Sequence, residues 1–397
     1  MRFLMKRAVE TRATARVRPR WNVKALSAIL PILLLSLLLA ACGDPVTQSS
    51  ATGPIDSPTA SSQQAATPAV MATGNFHEYA LPQTNSGLMR PAIDHEGRIW
   101  FGEMNKNFLA VFDPHTGKFQ QIKPPHGQSG MMGVEVADDD TIWFAEQYAD
   151  YIGHYFPKTG RFQIYQLPSI TVPDPSNAGK TLTLPSAPND LALDKNGNIW
   201  FTELNAGAIG RLDAGNGSIR QYPLATKQNI QTIDPYGITV DSQGIVWFTE
   251  SGQNRVGRLD PSTGQMQFFT VSTAKDTAIM EITSGSHGLL WITTFNSMLL
   301  SLDSATGQFK TYDAPTVSGS GSGSGGLYGV LADSNTGNVW MTVSAQNVLA
   351  RLDPATGRFT YYTIPTPSSL PLGLVEGSNN TFWFTEAGSD KIGMLQA

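Results

Sequence analysis

Gly237-Ile238-Thr239-Val240, Asp241-Ser242-Gln243-Gly244, Val246-Trp247-Phe248-Thr249-Glu250 and Val256-Gly257-Arg258-Leu259-Asp260 follow one another in the middle of the chain. The first, third and fourth pieces are short and rich in β-branched and aromatic residues, as strands are. Between the first and third lies a turn with the Asp and Gly that tight turns favour. Pro261-Ser262-Thr263-Gly264 then reverses the chain, and Met266-Gln267-Phe268-Phe269-Thr270-Val271 makes a fourth strand. Outside the N-terminus no helical periodicity competes with this reading.

The Trp-centred strand recurs at Trp100, Trp143, Trp200, Trp247, Trp291, Trp340 and Trp383, at spacings of 43, 57, 47, 44, 49 and 43 residues. A repeat of this length, built from four short strands named A to D, is a propeller blade. The sequence predicts an all-β, seven-bladed β-propeller of four-stranded antiparallel blades. The last repeat stops after its third strand, Ile392-Gly393-Met394-Leu395. Phe76-His77-Glu78-Tyr79-Ala80-Leu81-Pro82 matches the fourth strands at 162–168 and 359–365. The N-terminal strand is therefore expected to complete blade seven and remove an exposed sheet edge.

Three segments follow. Residues 1–41 open with eight basic residues, Arg2 to Lys24, and continue into an apolar run, Ala25 to Leu39. The run is shorter than the ~20 residues a spanning helix needs and suits a signal-peptide core. It ends in Leu39-Ala40-Ala41-Cys42, which resembles the bacterial lipobox, and Cys42 is the single cysteine of the chain. Cys42 is the expected lipidation site, placing the domain outside the cytoplasmic membrane and touching it only through that anchor. Residues 42–74, rich in Ser, Thr, Ala, Gln and Pro, are expected to be a disordered tether, and 75–397 the propeller. Removal of residues 1–41 takes eight basic residues and one acid from totals of 27 and 32, which leaves a net charge of −12. An acidic domain without a basic stripe argues against nucleic acid as a partner.

The A–B and C–D turns are short and uniform. The long insertions, at 169–185 and 317–326, both join strand D to the next strand A. Binding concentrates where loops lengthen and vary, so the D–A/B–C end of the channel is the expected functional face. Residues obeying the repeat are read as structural. A Glu three places after the Trp (Glu103, Glu146, Glu203, Glu250, Glu386) reads as an acceptor of loop N–H groups, or as an acidic ring at the channel mouth. Residues breaking the repeat are the candidates. Near the start of strand A four blades place Gly133, Gly237, Gly329 and Gly373, and the other three place Arg90, Asp190 and Glu281. Met89, Asn189, Tyr236 and Tyr328 precede these slots as expected ligand contacts. Glu135 stands mid-strand where other blades carry Thr239 and Thr283. A carboxylate there needs a partner or a raised pKa, so Arg90, Glu281, Asp190 and Glu135 are expected to form one network. His126 is the one histidine on the expected functional face. No metal-ligand spacing, nucleophile elbow or phosphate loop is present.

Pro235-Tyr236-Gly237-Ile238-Thr239, Val246-Trp247-Phe248-Thr249-Glu250 and Val256-Gly257-Arg258-Leu259-Asp260 together resemble the virginiamycin B (streptogramin) lyase family, and the resemblance runs over roughly residues 75–397. It implies a monomeric propeller that opens a cyclic depsipeptide lactone by elimination, aided by a divalent ion, typically Mg²⁺. It also implies general-base histidines at the start of the inner strands of blades six and seven, where this chain has Tyr328 and Leu372. Glu386 keeps the acid after the seventh Trp. Two readings follow. One is a divergent lyase- or lactonase-like enzyme drawing on Glu281, Arg90, Glu386 and His126. The other is a non-catalytic surface module that holds a small-molecule, glycan or peptide-like ligand.

Overall fold

The computed structural model describes residues 62–64, 69–127, 130–174, 179–224, 233–272, 278–316 and 326–397. The expected signal segment, Cys42 and most of the second long insertion (317–325) lie outside the described residues. Seven sheets follow the repeat, each with its four strands in the order A-B-C-D, and those of blades five and six carry a fifth strand at the outer edge. The A strands are Leu88–Ile93, Met131–Val136, Pro188–Leu193, Pro235–Val240, Ile279–Ser284, Leu327–Ala332 and Pro371–Glu376. Each touches the next, and the seventh touches the first, so they form a cycle. In the seventh sheet the fourth strand is Asn75–Ala80, antiparallel to Lys391–Gln396.

Every repeat Trp is at most 6 % exposed and packs against the following blade. Trp247 of blade four lies among Ile279, Ile282, Leu290 and Ile292 of blade five, and Trp383 of blade seven lies among Leu88, Ile99 and Phe101 of blade one. The indole N–H cannot be buried unpaired without cost. In blades one, three and four it donates to the A–B turn aspartate: Trp100 to Asp94 (2.7 Å), Trp200 to Asp194 (3.2 Å) and Trp247 to Asp241 (2.8 Å). The same Asp241 accepts the N–H groups of Gln243 and Ile245. One turn residue thus sets the hairpin and aims the wedge between blades.

All seven A strands carry a bulge near their start, after Leu88, Met131, Pro188, Pro235, Ile279, Leu327 and Pro371. A bulge leaves backbone groups outside the ladder. The threonine two places after the Trp satisfies them. Thr249 Oγ1 accepts from Gly237 N (2.9 Å) in its own blade and donates to Met280 O (2.6 Å) in the next. Thr202, Thr293 and Thr342 repeat this relay.

Two pieces of the stretch expected to be a tether are instead strands. Ser62–Gln64 pairs parallel with the outer strand of blade five, Phe309–Asp313, and Val70–Ala72 with that of blade six, Arg358–Thr363. The unpaired N–H and C=O groups of an outer strand D are a template for any extended segment that passes. The first long insertion is partly a hairpin, Ile170–Pro173 with Thr181–Leu184.

Thr249→Val keeps the shape but removes the hydroxyl, stranding the buried N–H of Gly237 and C=O of Met280. At about 1–3 kcal/mol for each unsatisfied group, urea denaturation is expected to show a loss of about 2–4 kcal/mol. An unchanged midpoint would mean that the relay contributes nothing.

Candidate functional site

The second bulge position is where the blades differ. At Gly237 a Cβ would stand 2.9 Å from Met280 O and Glu281 Cα, and at Gly329 it would stand 2.5 Å from Leu372 O. Only glycine allows the neighbouring backbone that close. Blades one, three and five place Arg90, Asp190 and Glu281 in the slot, and these side chains meet across the channel. Arg90 Nε lies 3.2 Å from Asp190 Oδ1, and Arg90 Nη2 pairs with Glu281 Oε1. The three side chains are 11 %, 10 % and 9 % exposed. Asp190 Oδ2 also accepts from Ile238 N (3.0 Å), tying blade three to blade four.

Tyr236 and Tyr328, from blades four and six, meet edge to face with ring centroids 6.3 Å apart and hydroxyls 2.7 Å apart. Arg90 Cζ lies 5.4 Å and 6.0 Å from the two ring centroids, within cation–π range. Burial holds both phenols neutral: Tyr236 is pushed up to about 12 and Tyr328 is raised well above the usual phenol range.

The expected network is thus assembled in part. Arg90, Asp190 and Glu281 bond to one another. Glu135 lines the same channel, but no hydrogen bond or ion pair reaches its carboxylate. Burial first, and then the Asp190 charge, push Glu135 up to about 8, against the opposing pull of Arg90. Glu281 rises to about 7, again chiefly by burial.

The channel below this layer is a cavity of about 430 Å³. It is lined by the A strands from Arg90, Asp190 and Glu281 on through Val136, Leu193 and Val240 to Asp138. Exposure rises along these strands toward the A–B turns, where Asp138 is exposed, so the cavity opens on that side. At the D–A end Met89, Met132, Asn189, Met280, Tyr328 and Leu372 are all buried, and they close the channel. Sequence reasoning placed the functional face at the D–A/B–C end. The structure puts a closed polar and apolar layer there and the open space beneath it.

The remaining candidates separate. Asn189 spends its amide on protein groups, donating to Tyr236 O (3.0 Å) and accepting from Gln147 (3.3 Å). His126 stacks on Tyr151 at 4.3 Å and lies outside the cavity lining, as does Glu386. Glu386 is fully buried, accepts from Ser389 (2.8 Å), and is raised by burial to about 7. The other repeat glutamates also turn into their own blades: Glu103 accepts from Gln121, Glu203 from Gln221, and Glu250 from Arg255. The bonds named for Glu103, Glu203 and Glu250 are to side chains, and none of the five repeat glutamates lines the channel cavity. Asp138 was missed; its signal was the acidic turn Asp138-Asp139-Asp140 in the repeat with the exceptional Glu135.

Mg²⁺, implied by the resemblance, needs several oxygen ligands around one open point. Among the described residues no group of three or more His, Cys, Asp or Glu side chains could hold a metal ion. Asp190 and Glu281 direct oxygens at Arg90 instead, so no role is derived for the ion.

A family model described as the virginiamycin B lyase family matches residues 59–320, more than half of the chain. The chain belongs to the virginiamycin B lyase family. Among solved structures, a streptogramin B lyase is 28 % identical, with 81 % of this chain and 97 % of that one covered and a TM-score of 0.70. Virginiamycin B lyase from Staphylococcus aureus is 26 % identical, with 82 % and 99 % covered and the same TM-score. A catalytically inactive histidine-to-alanine variant of that enzyme, solved with quinupristin, is 26 % identical over the same shares at a TM-score of 0.69. A comparison with curated protein sequences returns no match. The family match ends at residue 320, before the inner strands of blades six and seven, Leu327–Ala332 and Pro371–Glu376.

Glu135 holds its proton in the folded state up to about pH 8, whereas an unfolded glutamate loses it near 4.5. Between those values the native state binds more protons, so this group lowers stability as pH rises. The fall in thermal midpoint from pH 5 to pH 9 is expected to be smaller in Glu135→Gln than in the parent protein. Parallel curves would contradict the assignment.

Proposed function

We propose that this protein recognises a cyclic peptide or lactone-like ligand at the D–A/B–C end of its propeller and binds it without the proton abstraction of a lyase. The observation carrying this reading is the Tyr236–Tyr328 hydroxyl pair. When one phenol donates to the other, the acceptor's own hydrogen remains free for a ligand oxygen such as an ester or amide carbonyl. Tyr236 is half-buried and Tyr328 is buried, and Arg90 lies within cation–π range of both rings. Family membership supports the ligand class, since the similar lyase was solved with quinupristin. The blade-six and blade-seven slots support recognition over turnover. Raised phenols are donors near neutral pH, and Leu372 has no group that can accept a proton, so neither slot supplies a general base.

Isothermal titration of the full chain with quinupristin is expected to show one-to-one binding, with no ring-opened product by mass spectrometry. Tyr236→Phe is expected to weaken binding about tenfold, the scale of one lost hydrogen bond. Absence of binding overturns the ligand class, and ring-opened product restores the enzyme reading.

We also propose that the domain works outside the cytoplasmic membrane, tethered through lipid on Cys42. The support is the basic start, the short apolar run and the Leu-Ala-Ala-Cys boundary. Metabolic labelling with a radiolabelled fatty acid is expected to mark the parent protein and to be lost in Cys42→Ser. Equal labelling of both would remove the proposal.

A further inference from the structure

The strand that completes blade seven carries an acid where two other blades carry an amide. In blade one Gln121 stands opposite Ala110, which stands opposite Phe101; in blade three Gln221, Gly210 and Phe201 align in the same way. Each Gln donates to the repeat glutamate two places beyond that Phe: Gln121 to Glu103 (2.5 Å) and Gln221 to Glu203 (2.7 Å). In blade seven the same register runs through Glu78, Gly393 and Phe384. Glu78 therefore occupies the glutamine slot and faces Glu386.

An amide can donate to a carboxylate, and a second carboxylate cannot. Two carboxylates side by side do not both ionise cheaply, and the more buried one keeps a proton. That one is Glu386, which is fully buried, whereas the Glu78 side chain is 15 % exposed. Glu78 has the partners of an ionised acid. It accepts from Thr366 N (3.1 Å) and Thr366 Oγ1 (2.9 Å), and Lys391 Nζ lies 3.5 Å from it. Glu386 accepts from Ser389 through Oε2, and no donor reaches its buried Oε1. A proton on Oε1 turns that stranded acceptor into a donor, with Glu78 in hydrogen-bonding reach.

The position of the pair gives it leverage. In the other six blades the outer strand follows the third strand of its own sheet through a turn. Asn75–Ala80 has no such turn and is held by pairing and side-chain contacts alone. We propose that Glu386 and Glu78 share one proton, and that this proton latches the closing strand onto blade seven and is released as the medium turns alkaline. On release the Glu386 O–H bond breaks, the proton passes to solvent, and two carboxylates face each other across the closing strand. The charged groups acting on Glu386 are Glu78 from the closing strand and Lys391 from the third strand. Asp390, beside Lys391, directs its carboxylate at the N–H groups of Asn85 and Ser86 (both 2.7 Å).

Burial chiefly, with the Glu78 charge adding to it, pushes Glu386 up to about 7 from the 4.5 of an ordinary glutamate. Between those values the closed ring binds the extra proton, so closure weakens as pH rises through them and is weakest above 7. Glu203 is also raised to about 7 by burial, against the pull of Gln221. Exchanging one side chain, rather than pH alone, therefore tests the latch.

The test is hydrogen exchange of the full chain at pH 6 and pH 8.5, read by mass spectrometry on the peptide covering Asn75–Ala80 and corrected for the intrinsic rate. Protection in the parent protein is expected to fall about tenfold between the two, the equivalent of one pKa unit. Glu78→Gln copies blades one and three. Its fall is expected to be less than about threefold, with protection at pH 8.5 above that of the parent. Glu386→Gln removes the acid from the other side and is expected to flatten the response likewise, so either variant that folds decides. A substitution that merely loosens the strand lowers protection at both pH values and leaves their ratio as in the parent. That outcome, or a parent whose protection does not change with pH, overturns the proposal.

Discussion

The ring depends on a hydroxyl shared between blades. Each inner strand is bulged at its start, and a bulge on a crowded central wall would normally leave an N–H and a C=O unpaired. Thr202, Thr249, Thr293 and Thr342 satisfy both with one oxygen, accepting within the blade and donating to the next. The link between blades is thus a directional bond as well as an apolar contact. The tryptophan wedges supply the area and the threonines supply the register. Blades one and two carry Gly102 and Ala145 at the same place, so this link is missing from them.

The bulge also determines where side chains can go. It turns one residue per blade toward the axis, and seven side chains do not fit there. Glycine on four blades clears the space, and Arg90, Asp190 and Glu281 occupy it from alternate blades. A buried ion pair gains little net stability once desolvation is counted. What this one supplies is a floor: it bounds the open, acid-lined part of the channel at its closed end.

Much of this was legible in the sequence because repetition converts a local pattern into a global one. Seven Trp-centred strands imply seven blades, and a repeat lacking its last strand implies a partner at the other end. The slot comparison also isolated Arg90, Asp190 and Glu281, since departures from a repeat stand out. Direction was not legible. Nothing in the string indicates that the buried layer seals the D–A end, that Asn189 turns its amide to the backbone, or that Glu386 and its counterparts face into their own blades. Those outcomes depend on which neighbour is closest in space, and the neighbours come from blades 40 or more residues away. The edge strands at 62–64 and 70–72 escaped for another reason. A parallel edge pairing asks only for extended backbone, so a composition typical of a tether is no bar to it.

The seventh blade has a consequence in time. Asn75 pairs with Gln396 and Ala80 with Lys391, so the strand that completes the sheet is made about 300 residues before its partner. Pairings of such sequence separation are slow to form because the intervening chain must first be brought round. Blades one to six each contain their own four strands, yet the circle stays open until the two ends meet. Sealing is a single late event, and any factor that holds the two ends apart holds the whole molecule in an unlatched state.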